Sequence, residues 1–249
     1  MSVHLFGGGW GDGRDGDVYG AFVAEAAALA ANAAAGDRET DASGRAIPRI
    51  ALVVVRADDP AAVTERFLAE LRSGGDVTAH VTAVRHGEPI PGTAFTDVDG
   101  IMVGGGSIPA YREALEPHFG EIRRQVAAGT PYLGFSAGAS IAAERAVIGG
   151  IRIGGVQVAP DGVSQDLDEV QLAPGIGLID VAVDVHAAQW GALSRVVAAV
   201  EAGLVDGALA IDERTALVVG EGGLAVTGRG SVWRVLPGDS GVVVSTMGA

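Results

Sequence analysis

Tyr132-Leu133-Gly134-Phe135-Ser136-Ala137-Gly138-Ala139 is the stretch on which the reading of this chain turns. Tyr132 to Phe135 is a short apolar run that reads as a buried strand, and the small residues from Ala137 onward read as the start of a helix. Ser136 stands where strand gives way to helix. A G-x-S-x-G pattern in that setting is a nucleophile elbow, in which a sharp, strained turn holds the serine hydroxyl out at the sheet edge. Gly134 and Gly138 fit because a Cβ would collide where the chain reverses. The helix N-terminus behind Ser136 adds positive potential that favours an oxyanion nearby.

The same strand-then-helix rhythm extends outward. Upstream, Gly100–Val103 reads as a strand ending in Gly104-Gly105-Gly106, followed by a helix from Pro109 to Ala128 that Gly129 closes. Earlier still, Ile50–Val55 is a continuous apolar run, the mark of a strand buried on both faces. It leads into a helix from Pro60 to Ser73, stopped by Gly74-Gly75, and then a strand over Val77–Val84. The N-terminal run Val3–Phe6 reads as a strand ending in Gly7-Gly8-Gly9, and an alanine-rich helix follows from Val18 to Ala35. This alternation predicts an α/β fold: a doubly wound, mostly parallel sheet flanked by helices, as a single domain over residues 1–249. Most glycines fall where strands end, the edge at which such sheets place ligand sites. Past a helix over Ala187–Ala202 come short strand-like runs at Ala208–Ile211, Ala216–Val219, Leu224–Val226, Ser231–Val235 and Val242–Val244. Their Gly-rich connections read as hairpin turns, and they are expected to extend the same sheet in antiparallel fashion.

Composition narrows the function classes. The 249 residues are 48% hydrophobic and 19% charged, which supplies a core and excludes a disordered chain. The absence of cysteine excludes a disulfide scaffold and any thiolate metal site. A net charge of −14 without a Lys/Arg cluster argues against nucleic acid. Val18–Ala35 carries Glu25 and Asn32 and makes a poor membrane span. The start, Met1 to Trp10, has no basic region before its glycine run, so no signal peptide is read there. The expectation is a cytoplasmic protein that binds no membrane, cofactor or metal, with a late antiparallel edge on which a homodimer would pair.

A serine nucleophile needs a base. His4 begins the first strand, His80 lies within a strand, His86 in a loop and His118 beside Phe119 on a helix; each reads as structural. His186 ends the strand Val181–Val185, at the same sheet edge as Ser136 and fifty residues downstream of it. It is the expected base.

Four segments, in order, resemble the serine hydrolases that include peptidase E and cyanophycinase, whose fold is like that of class I glutamine amidotransferases. They are Gly100–Ser107 with its Gly-Gly turn, the elbow Gly134–Ala139, Gly175–Leu178 with Asp184-Val185-His186, and Ile211-Asp212-Glu213-Arg214-Thr215-Ala216-Leu217. The resemblance implies that Ser136 attacks a carbonyl and His186 accepts and later returns the proton. It implies an oxyanion hole from the N–H groups of Gly105 and Ala137, and a substrate-binding site where the bare backbone of Gly104 and Gly106 comes close to the substrate, with Ser107 and Trp190 beside it.

The resemblance also implies a triad acid drawn from between Ser136 and His186. Asp161 is the first choice because the order Ser…Asp…His is kept. Asp166, Asp168, Glu169 and Asp184 remain open. Cyanophycinase-like members carry a Gln after the Gly-Gly turn and an Arg four residues past the histidine, where this chain has Ser107 and Trp190. Without that Arg, strict selection of an aspartyl carboxylate is not expected. Trp190 offers an apolar or cation–π wall, or packs in the following helix. The expected function is hydrolysis of a peptide or amide bond in a small peptide. The alternatives are an esterase, or a silent amidotransferase-like domain that binds a ligand or partner. A dinucleotide enzyme is the weakest reading, since Gly7-Gly8-Gly9 lacks the G-x-G-x-x-G spacing.

Overall fold

The computed structural model describes residues 2–11, 16–32 and 38–248. Its first part runs β1 (Val3–Phe6), α1 (Gly16–Ala31), β2 (Arg49–Arg56), α2 (Ala61–Gly74), β3 (Thr78–Arg85), β4 (Gly100–Val103), α3 (Ile108–Leu115), α4 (Phe119–Ala127), β5 (Tyr132–Phe135) and α5 (Ala137–Ser140). The expected end of the first helix, at Ala35 and Gly36, lies outside the described residues. Strands β1, β5, β4, β2 and β3 lie side by side in that order, all parallel.

Period-two alternation sorts their side chains into two cores. On β2, Ala51, Val53 and Val55 face one core, while Ile50, Leu52 and Val54 face the other, all fully buried. Tyr111 of α3 and Phe119 and Ile122 of α4 complete the first core. Phe22 of α1 and Phe67 and Leu71 of α2 complete the second. Helices therefore cover both faces, as the unbroken apolar run of β2 requires. The helix expected over Pro109–Ala128 is broken into α3 and α4 by a 3₁₀ turn at Glu116–His118. Pro117 has no N–H to continue the ladder.

The remainder is β6 (Arg145–Gly149), β7 (Arg152–Ile153), β8 (Val156–Gln157), β9 (Gln171–Pro174), β10 (Ala182–Val185), α6 (Leu193–Glu201), β11 (Ala208–Ile211), β12 (Thr215–Gly220), β13 (Gly223–Gly228), β14 (Ser231–Gly238) and β15 (Gly241–Gly248). The expected antiparallel extension holds only for β12 and β13, which add to the edge of the main sheet at β1. Strands β11, β14 and β15 instead join β10 in a separate sheet, ordered β10-β11-β14-β15. β10 and β11 are parallel, and their residues Val183, Val185, Leu209 and Ile211 pack into the same core as α3 and α4. The short pairs β6–β9 and β7–β8 are not anticipated by the sequence reading. The β7–β8 hairpin turns on Gly154 and Gly155, both at positive φ, as a primed two-residue turn demands. Among the described residues no helix is long and apolar enough to cross a membrane.

Two sheets meet where β1 ends. Ser136 N–H donates to Phe6 O at 2.9 Å, His186 N–H to Gly7 O at 3.1 Å and Arg214 N–H to Gly8 O at 2.7 Å. These bonds bring the ends of β5, β10 and β11 to one place.

Candidate active site

The elbow has the geometry its sequence predicts. Ser136 sits at φ 52°, ψ −106°, a sparsely populated region for a residue with a side chain, between β5 and the single turn of α5. Close packing explains its glycines: a Cβ on Gly134 would stand 2.4 Å from the carbonyl of Gly138, and one on Gly138 2.3 Å from Val103 O. Tyr132 Oη donates to Gly138 O at 2.8 Å beneath the turn. Burial pushes that phenol far above its ordinary value, so it stays a donor.

Ser136 Oγ lies 2.8 Å from His186 Nε2, and His186 Nδ1 lies 2.7 Å from Glu213 Oε1. An ionised carboxylate only accepts, so Nδ1 carries the proton and donates to Glu213. Nε2 is then left as the acceptor for the Ser136 hydroxyl. Ser136 and His186 are each 8% exposed. Burial lowers the His186 imidazole below its ordinary value, outweighing the opposing pull of Glu213 and Asp184.

Asp161 does not reach this histidine, which corrects the expected acid. It opens an exposed 3₁₀ turn and accepts from Gln157 Nε2 at 3.2 Å. The other candidates are also placed elsewhere. Asp168 pairs with Arg152 at 2.9 Å, and Glu169 accepts from the N–H groups of Gly154 and Gly155. Asp166 lines the cleft at φ 61° without touching His186. Asp184 is fully buried and held in a fork by Arg195, at 2.7 Å from Nε and 2.9 Å from Nη2. Arg195 also donates from Nη1 to Gly150 O and Val163 O, tying the loop before β9 to the site.

Glu213 was in view in the sequence, inside the Ile211–Leu217 segment. The signal that finds it is topological. β11 pairs in parallel with β10 so that Val185 stands opposite Ile211, and the residues that follow each strand emerge together. The neighbouring acid, Asp212, has a different task, accepting from Ala188 N, Trp233 Nε1 and Ser231 N.

Gly7-Gly8-Gly9, the loop of the weak dinucleotide reading, is also part of this assembly. Gly8 has φ +88°, and a Cβ there would stand 2.3 Å from His186 Cε1. A Cβ on Gly9 would stand 2.6 Å from that of Glu213. Only a bare backbone lets the histidine and its carboxylate seat against β1.

Gly105 approaches as closely on the serine side, where an added Cβ would be 2.9 Å from Ser136 Cβ. Among the described residues, neither the Gly105 N–H nor the first-turn N–H of Ala137 donates to another backbone carbonyl outside the regular elements. Both flank Ser136, and they are the donors the sequence reading named for an oxyanion. A cleft of about 530 Å³ opens over them, lined among others by Trp10, Arg56, Gly106, Ser107 and Trp190. Ser107 caps α3, accepting from Ala110 N at 3.4 Å, and the adjacent Ile108 N donates to Gln165 Oε1 at 3.0 Å. Trp190 is not in the helix expected from Ala187, because α6 begins only at Leu193. It stands in the turn after His186. Among the described residues no group of His, Asp and Glu is arranged to hold a metal ion.

Comparison with known proteins gives two kinds of likeness. No family model matches the chain. A peptidase E of Shewanella denitrificans is 38% identical over 80 residues, covering 31% of this chain and 34% of that protein. A peptidase E of Shewanella sp. strain W3-18-1 is 44% identical over 83 residues, covering 31% of this chain and 34% of that protein. The match thus spans about a third of the length of these relatives. Whole-chain likeness comes from solved structures. A peptidase from an acI-B1 actinobacterium superposes with a TM-score of 0.58 at 16% identity, covering 99% of this chain and 96% of that one. A protein assigned to peptidase E from Listeria monocytogenes EGD-e gives 0.55 at 14% identity, covering 92% and 99%. In its fold, and in the sequence of the aligned third, the chain is peptidase E-like.

Proposed function

We propose that this protein is a serine hydrolase that cleaves a peptide or amide bond in a small peptide through Ser136, His186 and Glu213. The observation that carries the reading is the unbroken relay from serine oxygen through imidazole to carboxylate, 2.8 Å and then 2.7 Å. Ser136 attacks the carbonyl carbon as its proton passes to His186 Nε2. Glu213 keeps the ring in the accepting tautomer and stabilises the imidazolium. The tetrahedral oxyanion sits between the N–H groups of Gly105 and Ala137. Collapse expels the amine, which takes its proton from His186. Water then repeats the sequence on the acyl-enzyme and frees Ser136.

The peptidase E relatives support a peptide as substrate, and the size of the cleft suits a small one. Arg56 is the cation at the cleft wall, and Asp58 offsets it at 3.1 Å. The Arg195 guanidinium is occupied by Asp184. That balance supports a pocket without a strict demand for a negatively charged residue. The test is a panel of dipeptides and dipeptide amides varied at the first residue. Wild type should release amine from several members and Ser136→Ala from none. Equal turnover by Ser136→Ala would sink the nucleophile, and a strict requirement for N-terminal aspartate would sink the pocket argument.

A further inference from the structure

Trp190 lies flat on His186, ring centroids 4.1 Å apart and planes 12° from parallel. The turn between them is built to hold that stack. Trp190 N–H donates back to His186 O at 2.9 Å, Ala188 N–H to Asp212 Oδ1 at 3.0 Å, and Glu213 N–H to Gln189 Oε1 at 2.8 Å. Gly191, at φ +75°, then turns the chain away. The turn that carries the indole is thereby fastened to the segment that carries Glu213. The indole is nonetheless 47% exposed and borders the cleft, so it is poorly placed to serve as a core residue.

The ring it covers needs such a support. Hydrogen bonds at Nδ1 and Nε2 lie in the plane of the His186 ring and only weakly resist its tilting out of that plane by small rotations about Cα–Cβ and Cβ–Cγ. A flat aromatic surface removes that freedom. When the serine proton arrives, the ring becomes a cation over a π face, an attraction that strengthens where water is excluded. The charged and titratable groups around it are Glu213 on Nδ1, Asp184 two residues back on β10 with Arg195 of α6 paired to it, and the Ser136 hydroxyl on Nε2. Asp212 is turned onto Ala188 N.

We propose that Trp190 is a positioning residue for His186, its indole face holding the imidazole in line between Ser136 and Glu213 and supporting it once it carries the proton. Only the effect on rate rests on the hydrolase reading; the stack itself is independent of it. The test compares Trp190→Phe, which keeps a π face, with Trp190→Leu, which keeps apolar cover without one. Two readouts are used: the NMR titration of the His186 Cε1–H, and the pH dependence of fluorophosphonate labelling and of kcat and KM for a cleaved dipeptide.

In Trp190→Leu the His186 midpoint should fall by roughly half to one unit, and labelling should slow by about five- to tenfold. Trp190→Phe should recover most of both. An unchanged midpoint and labelling rate in Trp190→Leu overturns the proposal. So does a rise in KM alone with kcat and the pH profile unmoved, which would make the indole a substrate wall. A shifted midpoint in a protein whose wild type is never labelled would uphold the stack and defeat the hydrolase reading.

Discussion

Replacing Glu213 by glutamine keeps its shape but gives it an amide that can donate, which removes the preference for a proton on Nδ1. Glu213→Gln should therefore cut turnover by about 10²–10⁴-fold. Asp161→Asn, at an exposed turn away from the histidine, should leave it within about twofold. The pH profile follows from the same contacts. Burial holds His186 below its ordinary value while Glu213 pulls it upward, so the acid limb of kcat/KM for a cleaved dipeptide should fall below the usual imidazole range. In Glu213→Gln that limb should move to still lower pH; movement to higher pH would contradict the assigned contact. At this scale the sequence was informative about Ser136 and His186 as neighbours, since each follows a strand and shares one edge. It was not informative about the acid. The expectation of Ser…Asp…His order pointed to Asp161, whereas the pairing of β10 with β11 sets Glu213 beside the ring. Chain order does not constrain which strand ends meet in space.

Elements place these residues, and two of them can be tested directly. The end of β1 holds the backbone of Ser136, His186 and Arg214, the residue after Glu213, through Phe6, Gly7 and Gly8, so Gly8→Ala brings both a strained φ and a clash with the His186 ring. It should cost about 1–3 kcal/mol of stability and abolish turnover, read by denaturant melts and dipeptide hydrolysis. The Asp184–Arg195 fork is a buried ion pair between β10 and α6. Arg195→Met should cost about 3–5 kcal/mol by leaving Asp184 unpaired. Asp184→Leu with Arg195→Met should recover a good part of that, the signature of an interaction and not of lost volume. The parallel strands and their flanking helices were legible because continuous apolar runs and glycine stops have few other readings. The breaks were less so. Pro117 divides a periodic helix, and the left-handed φ of His186 and Gly191 delays α6. Backbone turned to serve a site defeats local pattern.

Over the whole molecule, glycine at strand ends and the meeting of the two larger sheets belong to one arrangement. The main sheet supplies Ser136 and the glycine turn, and the β10–β11 sheet supplies His186 and Glu213. Both bury side chains in one core, so they should unfold together. Trp10, packed on Phe67 and Phe135, reports the main sheet, and Trp233 on β14 reports the second. In each of Trp10→Phe and Trp233→Phe, melts followed by tryptophan fluorescence and by far-UV circular dichroism should coincide; separated midpoints within one variant would make the two sheets independent units. Assembly of the site from both sheets also means that its chemistry is the most direct check on the account. Intact-mass analysis after fluorophosphonate treatment should give a single adduct on Ser136 in wild type, none in Ser136→Ala, and severely slowed labelling in His186→Ala and Glu213→Gln. A wild-type protein that takes no adduct, or a His186→Ala variant that labels at the wild-type rate, would contradict it.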